Sequence, residues 1–308
     1  MNLDLIQRFD DLSARHHEAV MVANHLRTTF ETWVPPGHFY SPYPDIAEVA
    51  ARRAQIFDNS VRPVGIDLRD AAQVDFFTGL AGLAEDIPFP ADPDPEFRFW
   101  FDNPAYGWAD GIVLHAMLRH IRPKRVVELG SGYSSALLLD TVEGWLGGDV
   151  DVTFVDPHPE LLHDVMRPDD AQRVTILPIA TQDVPWNVFA SLEAGDLLFL
   201  DTTHVVRPGS DVNHLFFNVL PYLAPGVWVH FHDVFWPFEY REDWVMEGRA
   251  WQEIYLLRAF LMFNPQYEIR WFQHYMWLHH RPLLEGRLPL MAKDPGGNLW
   301  LQRTAASR

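Results

Sequence analysis

The sequence predicts an α/β protein in which helices cover both faces of one mostly parallel sheet, after a helical N-terminal segment. From Arg125 onwards, short runs rich in Val, Ile, Leu and Phe alternate with stretches of helical period. Runs of this length and composition are typical of strands buried on both faces, and their alternation with helices is typical of a doubly wound sheet. The 308 residues are 48% hydrophobic, which is enough for a full core.

The strands and helices are predicted in order from these alternating runs. Strands are predicted at 125–129, 152–155, 173–179, 196–200, 226–231, 267–276 and 298–303. Helices of this region are predicted at 111–122, 134–146, 159–166, 186–193, 213–223 and 243–263.

Residues 1–95 are predicted to form a helical segment distinct from the sheet. Apolar residues such as Leu5 and Phe9 recur at helical spacing near the start. Prolines crowd residues 88–95, where neither a helix nor a central strand can form, so we expect an extended connector there. The predicted catalytic domain is therefore 96–308.

Charge and cysteine content exclude several classes of protein. The chain has 24 Lys and Arg against 42 Asp and Glu, a net charge of −18. Such a surplus repels nucleic acid and anionic lipid, so we expect a small-molecule partner and neither of these. With no Cys, disulfides, thiolate metal sites and a Cys nucleophile are excluded. The absence of a signal peptide pattern or a membrane-length apolar run predicts a cytoplasmic protein, and the sequence leaves the oligomeric state open.

The most informative segment is 126–135, a predicted strand that runs into a glycine turn and then a helix. Glycines at 130 and 132 let the backbone turn sharply and approach a ligand. Ser135 replaces the third glycine of the dinucleotide pattern, and Glu128 suits an ammonium group or hydroxyl better than a pyrophosphate. Asp156, at the end of the next strand, is placed to bind a ribose diol. A ligand with a ribose and a positive charge fits best.

On Glu128, Gly130 and Gly132 the sequence, over about residues 100–303, resembles the class I S-adenosylmethionine-dependent methyltransferases. Segments 204–213 and 229–240 resemble a bacterial and largely uncharacterised branch of that family. The resemblance implies a Rossmann-like, doubly wound, seven-stranded sheet, with S-adenosylmethionine as the cofactor. It also implies that Asp156 holds the ribose and that Gln182 or Asp183 lies near the adenine. The cofactor-binding residues expected on this basis are Glu128, Gly130, Ser131, Gly132, Tyr133, Asp156, Gln182, Asp183, Asp201, Tyr106 and Asp110.

A second group of polar residues follows the fourth and fifth predicted strands: Asp201, His204, His230, His232 and Asp233. Because neighbouring parallel strands end at the same edge, we expect these side chains to converge. Either His232 or His204 acts as a general base, with Asp233 beside it, or Asp201, His232 and Asp233 hold a divalent metal ion. The second layout is similar to that of metal-dependent small-molecule O-methyltransferases, although a His-Asp pair replaces their acidic pair and disfavours Mg²⁺.

Aromatic residues crowd the region after the fifth strand. Trp236, Tyr240 and Trp244 are predicted to line or cover the acceptor site, or else to pack the N-terminal helices onto the sheet. His230 is assigned either to the acceptor site or to the core.

Together these features predict methyl transfer from S-adenosylmethionine to an oxygen, or with less support a nitrogen, of a small molecule. The alternatives are an NAD-dependent oxidoreductase, a metal-dependent hydrolase, and a binding module without catalysis. The missing third glycine and Glu128 disfavour the oxidoreductase. S-adenosylhomocysteine (SAH) should stabilise a methyltransferase, whereas NAD should stabilise an oxidoreductase.

Overall fold

The computed structural model describes residues 12–13, 15–21 and 33–305, and its contacts divide the chain into two compact units, Met1–Arg52 and Arg53–Arg308. In the first unit, residues 15–21 are helical and helix α1 spans Ile46–Ala51. The carboxylate of Asp45 caps α1 by accepting hydrogen bonds from its first backbone N–H groups. Leu5 and Phe9, on which a predicted helix rests, lie outside the described residues.

In the second unit, helices α2 (Arg53–Ile56) and α3 (Asp70–Ala81) precede the connector. Residues 88–95 form neither helix nor strand, as their prolines predict. Residues 53–95 thus belong to the same compact unit as the sheet. The division into domains 1–95 and 96–308 stays a prediction.

The described part of the chain contains one seven-stranded sheet, and this confirms the predicted fold class. Its strand order is β3-β2-β1-β4-β5-β7-β6. Strand β7 runs antiparallel to both of its neighbours, and the other pairings are parallel. The strands are β1 (Arg125–Leu129), β2 (Asp151–Val155), β3 (Val174–Leu177), β4 (Leu197–Leu200), β5 (Trp228–His232), β6 (Tyr267–Phe272) and β7 (Asn298–Arg303).

Helices connect these strands and cover the sheet. They are α4 (Trp108–Ile121), α5 (Tyr133–Trp145), α6 (Glu160–Val165), α7 (Trp186–Ala190), α8 (Asp211–His214), α9 (Glu242–Met246), α10 (Glu253–Leu261) and α11 (Gln273–Arg287). Helix α8 begins after Ser210, whose hydroxyl accepts from the N–H of Asn213, and continues into a π-helical turn, Leu215–Val219. No helix within the described ranges combines the length and apolarity that crossing a membrane requires.

The core lies where the central strands are covered on both faces. Strands β4 and β5 are buried along their whole length, and β4 is accordingly a run of large apolar residues, whereas β5 also contains His230 and His232. The chain leaves β1 for β2 on one side and returns through β4 on the other. The carboxyl ends of β1 and β4 therefore form the switch point at which such sheets bind ligands.

Two predicted elements are wrong. The predicted helix 243–263 is broken, because residues 247–252 leave the helical path and bring Trp251 against the ring of His204. The predicted strand 267–276 ends at Phe272, and α11 begins at Gln273, whose buried side-chain amide bonds to Pro295. Aromatic residues occur on both sides of this junction, so composition alone does not mark the change from strand to helix.

Candidate active site

Gly130 brings the ends of three strands together at the switch point. Its φ is +76°, and a Cβ atom there would lie 2.0 Å from the carbonyl oxygen of Asp201. The N–H of Gly130 donates to Val155 at the end of β2, and the N–H of Asp201 donates to Leu129 at the end of β1. Only glycine permits this close approach of the loop to the end of β4.

The loop then enters α5 through a hydrogen bond to a side chain of the first helical turn. The N–H of Gly132 donates to the Ser135 hydroxyl at 3.0 Å. Tyr133, the first residue of α5, packs edge-on against Trp100 with ring centroids 5.1 Å apart. The loop is therefore rigidly held before any ligand binds.

Glu128 is a fully buried acid with one oxygen left without a partner. Its Oε1 accepts hydrogen bonds from Ser134 Oγ at 2.6 Å and Ser135 Oγ at 2.9 Å, whereas Oε2 has no partner among the described residues. Burial raises the pKa of Glu128 to about 8. An unpaired buried acceptor is costly, so this oxygen marks a position that suits a cationic group or a hydrogen-bond donor of a ligand.

Asp156 extends the site past the end of β2. Its Oδ2 accepts from both the N–H and the hydroxyl of Ser131 at 2.9 Å, and its Oδ1 accepts from the N–H of His158 at 2.8 Å. Gln182 and Asp183 lie in a 3₁₀ turn after β3 and are exposed. The structure thus places all of these residues at the carboxyl edge of the sheet, and their contacts with the cofactor stay predictions.

Tyr106 and Asp110 close the inner end of the site. The Tyr106 hydroxyl is buried without a partner in the described part of the chain, and its ring lies 5.0 Å from that of His232. Asp110, in α4, accepts hydrogen bonds from Gly297 N–H at 3.1 Å and from the Asn298 amide at 2.5 Å. Burial raises the pKa of Asp110 to about 6.

Asp201, His204 and Asp233 converge as the sequence predicts. The Nε2 atom of His204 lies 3.4 Å from Asp201 Oδ1 and 3.5 Å from Asp233 Oδ2. One ligating atom from each of the three residues lies within 4.8 Å of the other two, a spacing that could hold a metal ion. The predicted metal set contains His232 in place of His204, and His232 Nε2 lies 3.6 Å from Asp233 Oδ1.

The backbone at this cluster is held in an unusual conformation. His204 has φ +58° and Asp233 has φ +55°, values that cost a residue with a Cβ about 1–3 kcal/mol. Each residue directly follows or closely follows a buried strand, so tertiary contacts impose these angles. Strain of this kind commonly accompanies functional sites.

Charges at the cluster shift its proton affinities. Burial lowers the pKa of His204, but hydrogen bonds to Asp201 and Glu253 outweigh burial and raise it well above its ordinary value. Burial raises the pKa of Asp233. Burial would lower the pKa of His232, but the neighbouring carboxylates, Asp233 foremost, raise it. The site therefore favours positive charge on its imidazoles or on a ligand.

His230 has a different environment from its neighbours. Its ring is fully buried between Phe199 and Trp300, at centroid distances of 4.0 and 4.6 Å, and neither ring nitrogen has a partner within the described ranges. Burial lowers its pKa well below the ordinary value. This environment is that of a core residue, which is one of the two roles predicted for His230. Its other predicted role, at the acceptor site, stays a prediction.

Two cavities flank the loop that follows β5. One, of about 180 Å³, lies beside His232 and Asp233 and is lined by Trp244. The other, of about 330 Å³, is lined by Trp236 and Tyr240. Phe235 and Arg241 line both.

Of the three predicted acceptor aromatics, Trp244 is half-buried, whereas Trp236 and Tyr240 are buried. The indole of Trp236 donates to Asn59 and packs against Tyr275, so it also fixes α11 and the N-terminal part of this unit. Contacts of these side chains with an acceptor stay predictions.

Sequence reasoning missed Glu253 and Trp251. Glu253 accepts a hydrogen bond from the His204 ring at 2.8 Å, and the Trp251 ring lies 4.4 Å from it. One signal for Glu253 was available, since it shares the buried stripe of α10 with Leu257 and Leu261 at four-residue spacing. A carboxylate on a core-facing stripe indicates a buried polar partner.

The chain is similar to several known proteins. Residues 127–234 match the family model of a methyltransferase domain. An uncharacterized protein of Archaeoglobus fulgidus is 30% identical over 167 residues, which cover 52% of this chain and 73% of that protein. The solved SAH-bound methyltransferase PaMTH1 of Podospora anserina is 14% identical, with a TM-score of 0.43, over 89% of this chain and 99% of its own. The O-methyltransferase TomG of Streptomyces achromogenes, solved with SAM, is 16% identical, with a TM-score of 0.39, over 82% and 96%.

The strand order and the acidic glycine loop at the switch point define an α/β fold of the kind that binds ligands at the carboxyl ends of its strands. The matched methyltransferase domain contains the glycine loop, Asp201, His204 and Asp233. The chain belongs to the class I S-adenosylmethionine-dependent methyltransferases.

Proposed function

We propose that this methyltransferase moves the methyl group to an oxygen atom of a small hydroxylated molecule. The observation that carries the proposal is the cluster of Asp201, His204 and Asp233 directly beside the glycine loop. A hydroxyl is a poor nucleophile until its proton is removed, and this cluster supplies groups that can accept a proton or stabilise an oxyanion. A nitrogen acceptor would need less of this assistance.

The residues around the glycine loop fit S-adenosylmethionine. This cofactor supplies an electrophilic methyl group on a positively charged sulfur when bound. Glu128 offers an unpaired oxygen in a buried position, and Asp156 offers a carboxylate already oriented by Ser131. The carboxyl groups of Asp110, Asp201 and Asp233 also act on this pocket, so its electrostatic potential favours a cationic ligand.

In this proposal the acceptor binds in the cavity beside His232 and Asp233. At about 180 Å³ it suits a small acceptor rather than a polymer. The walls of the cavity combine the aromatic faces of Phe235 and Trp244 with the acid Asp233. They orient the acceptor and exclude water from the reacting oxygen.

Two routes can activate the hydroxyl at this cluster. In the first, neutral His204 accepts the proton at Nε2 as the oxygen attacks the methyl carbon, which requires a pH above the raised pKa of this residue. In the second, Asp201, His204 and Asp233 hold a divalent cation, which lowers the pKa of the hydroxyl. Two carboxylates and one imidazole suit Mn²⁺, Fe²⁺, Co²⁺ or Zn²⁺ better than Mg²⁺.

The function is tested first by ligand-induced stabilisation. We expect SAH to raise the melting temperature of the protein, and NAD to leave it unchanged. Stabilisation by NAD alone would contradict the proposal. A panel of small phenols, sugars and amines with labelled S-adenosylmethionine then identifies the acceptor atom, and transfer only to amines would contradict an oxygen acceptor.

The two activation routes are separated by the same assay. We expect activity to be lost on treatment with a chelator and restored by Mn²⁺ or Co²⁺ if a cation takes part. Activity that survives complete metal removal excludes the cation route and favours His204 Nε2 as the base. In that case His204→Gln should abolish transfer without changing SAH binding.

A further inference from the structure

The cluster rests on a buried carboxylate to which no role has yet been assigned, Glu253 at the start of α10. We propose that Glu253 is a positioning residue, which fixes the His204 ring with its proton on Nδ1 and its Nε2 lone pair facing Asp201 and Asp233. The inference rests on the proposed function of the cluster and holds for both activation routes.

The hydrogen bonds of Glu253 define the proton on His204. Glu253 Oε2 lies 2.8 Å from His204 Nδ1 and 2.9 Å from the Thr202 hydroxyl. An ionised carboxylate accepts and cannot donate, so both the imidazole Nδ1 and the hydroxyl donate to it. Nδ1 lies 2.8 Å from Glu253, closer than Nε2 lies to Asp201 and Asp233, at 3.4 and 3.5 Å. In neutral His204 the shorter hydrogen bond therefore favours the proton on Nδ1 and the lone pair on Nε2.

The same segment also fixes the backbone and ring plane of His204. The carbonyl oxygen of His204 accepts from the N–H groups of Gln252 at 2.9 Å and Glu253 at 3.1 Å. Its own N–H donates to the Thr202 hydroxyl at 2.9 Å, and the Trp251 ring covers the imidazole at 4.4 Å. The left-handed backbone of His204 is therefore held from several sides, and its ring cannot rotate without breaking these contacts.

The burial of Glu253 is not explained by its place at a helix start. Glu242 occupies the equivalent first position of α9, and it stays partly exposed and pairs with Arg53. Glu253 is 2% exposed, and its Oε1 has no partner within the described residues. Burying a carboxylate with an unpaired oxygen opposes folding, so a stabilising helix charge alone would not place it there. Orienting the ligand or base atom of His204 accounts for this position.

The direct test reads the tautomer by ¹⁵N NMR of metal-free protein with labelled histidines, and it needs no acceptor. The His204 signals are identified by their loss in His204→Gln, and spectra are recorded above the pKa of His204. We expect the proton of wild-type His204 on Nδ1. A proton on Nε2 would overturn the proposal, and this spectrum decides the matter even if a variant fails to fold.

Variants then separate positioning from structure. Glu253→Met keeps the side-chain length but has no strong acceptor, so the Nδ1–H preference should be lost. Glu253→Gln keeps an acceptor oxygen and should restore part of the preference. Glu242→Gln, the matched control at the start of α9, should behave as wild type. A Glu253→Met protein that folds and keeps the wild-type tautomer would overturn the proposal.

The kinetic readout uses the acceptor found in the methyl-transfer panel. We expect Glu253→Met to lower kcat about 10- to 100-fold, with KM for S-adenosylmethionine and the SAH-induced stabilisation unchanged. A folded variant with wild-type kcat would overturn the role of Glu253. If SAH fails to stabilise the wild type, the proposed function fails, whereas the tautomer experiment still reports on Glu253 by itself.

Discussion

At the scale of single residues, the site combines side chains whose polar atoms are buried and incompletely paired. Glu128, Tyr106 and His232 each keep such an atom without a partner among the described residues. These atoms lie near the carboxyl ends of neighbouring strands, where a ligand can satisfy them. Because His230 also keeps unpaired ring nitrogens in the core, it is the position of these three atoms at the edge of the sheet that favours a ligand.

Asp156 should be required for cofactor binding. Asp156→Ala removes the carboxylate at the end of β2, and we expect SAH binding in titration calorimetry to fall below detection, because the ribose would lose its acceptor. Asp151→Ala, an exposed acid at the opposite end of β2, is the matched control and should bind as wild type. Unchanged affinity in Asp156→Ala would contradict the site assignment.

Glu128 should make folding less favourable as pH rises. Its pKa is about 8 in the folded protein because of burial, against an ordinary value of 4.5. Between these values the folded state retains a proton that the unfolded state releases, so the free energy of unfolding falls as pH rises. The Glu128→Gln variant lacks this contribution, which is at most about 5 kcal/mol.

The measurement is urea denaturation of both proteins at about pH 5 and about pH 8. Wild type should lose more stability between these pH values than Glu128→Gln. Equal losses in the two proteins would show that Glu128 is ionised in the folded state at the lower pH. Glu247→Gln, an exposed acid paired with Arg249, should follow wild type.

At the scale of elements, the connection from β5 to α10 gives the site much of its shape. The chain could have formed a single helix over 243–263, but α9 ends at Met246 and α10 begins at Glu253. The break places Trp251 over His204 and lets Trp244 line the cavity beside Asp233. The packing of the Trp251 ring favours this path over continued helix, since the helical period by itself allows both.

Trp251 should affect turnover more than cofactor binding. Trp251→Ala uncovers one face of the His204 ring, and the resulting freedom of the imidazole should lower kcat about tenfold or more. Trp251→Phe keeps an aromatic face and should retain most of the activity. Trp186→Ala, at an exposed tryptophan of α7, is the control and should have little effect. Equal kcat in Trp251→Ala and wild type would contradict this role.

At the scale of the whole molecule, the negative charge is unevenly distributed. Part of the net −18 lies at the site, where Glu128, Asp156, Asp201 and Asp233 follow or end neighbouring strands. Another part is buried in a separate ion cluster, where Arg98 pairs with Asp140 at 2.7 Å and Asp170 at 2.6 Å. This ion cluster fastens the end of the proline-rich connector to α5 and to the turn before β3.

Breaking this cluster should destabilise the fold without acting on the chemistry. Arg98→Met leaves two nearly fully buried carboxylates without their cation, and we expect a loss of about 3–5 kcal/mol in the free energy of unfolding. Arg281→Met, which breaks the exposed pair with Glu285, should cost less than about 1 kcal/mol. Urea denaturation measures both, and similar losses would contradict the importance of burial.

Much of the fold could be predicted from local pattern. The buried strands β1 and β7 have the predicted bounds, and the glycine turn between β1 and α5 lies at its predicted position, because apolar runs and glycines act over a few residues. The convergence of Asp201, His204 and Asp233 was also predictable, since parallel strands end at one edge. The pairing of His204 with Glu253 was not, because 49 residues separate them.

The sequence by itself thus determined the strand-helix order, the acidic glycine loop and the polar residues that follow β4 and β5. Only the tertiary structure decided that His204, rather than His232, lies between Asp201 and Asp233, and which buried carboxylate holds its ring. It also decided where the helix after β5 breaks and where β6 gives way to α11. The physical reason is range: periodicity and turn chemistry act between near neighbours, whereas tautomers, cavities and helix breaks depend on packing between distant segments.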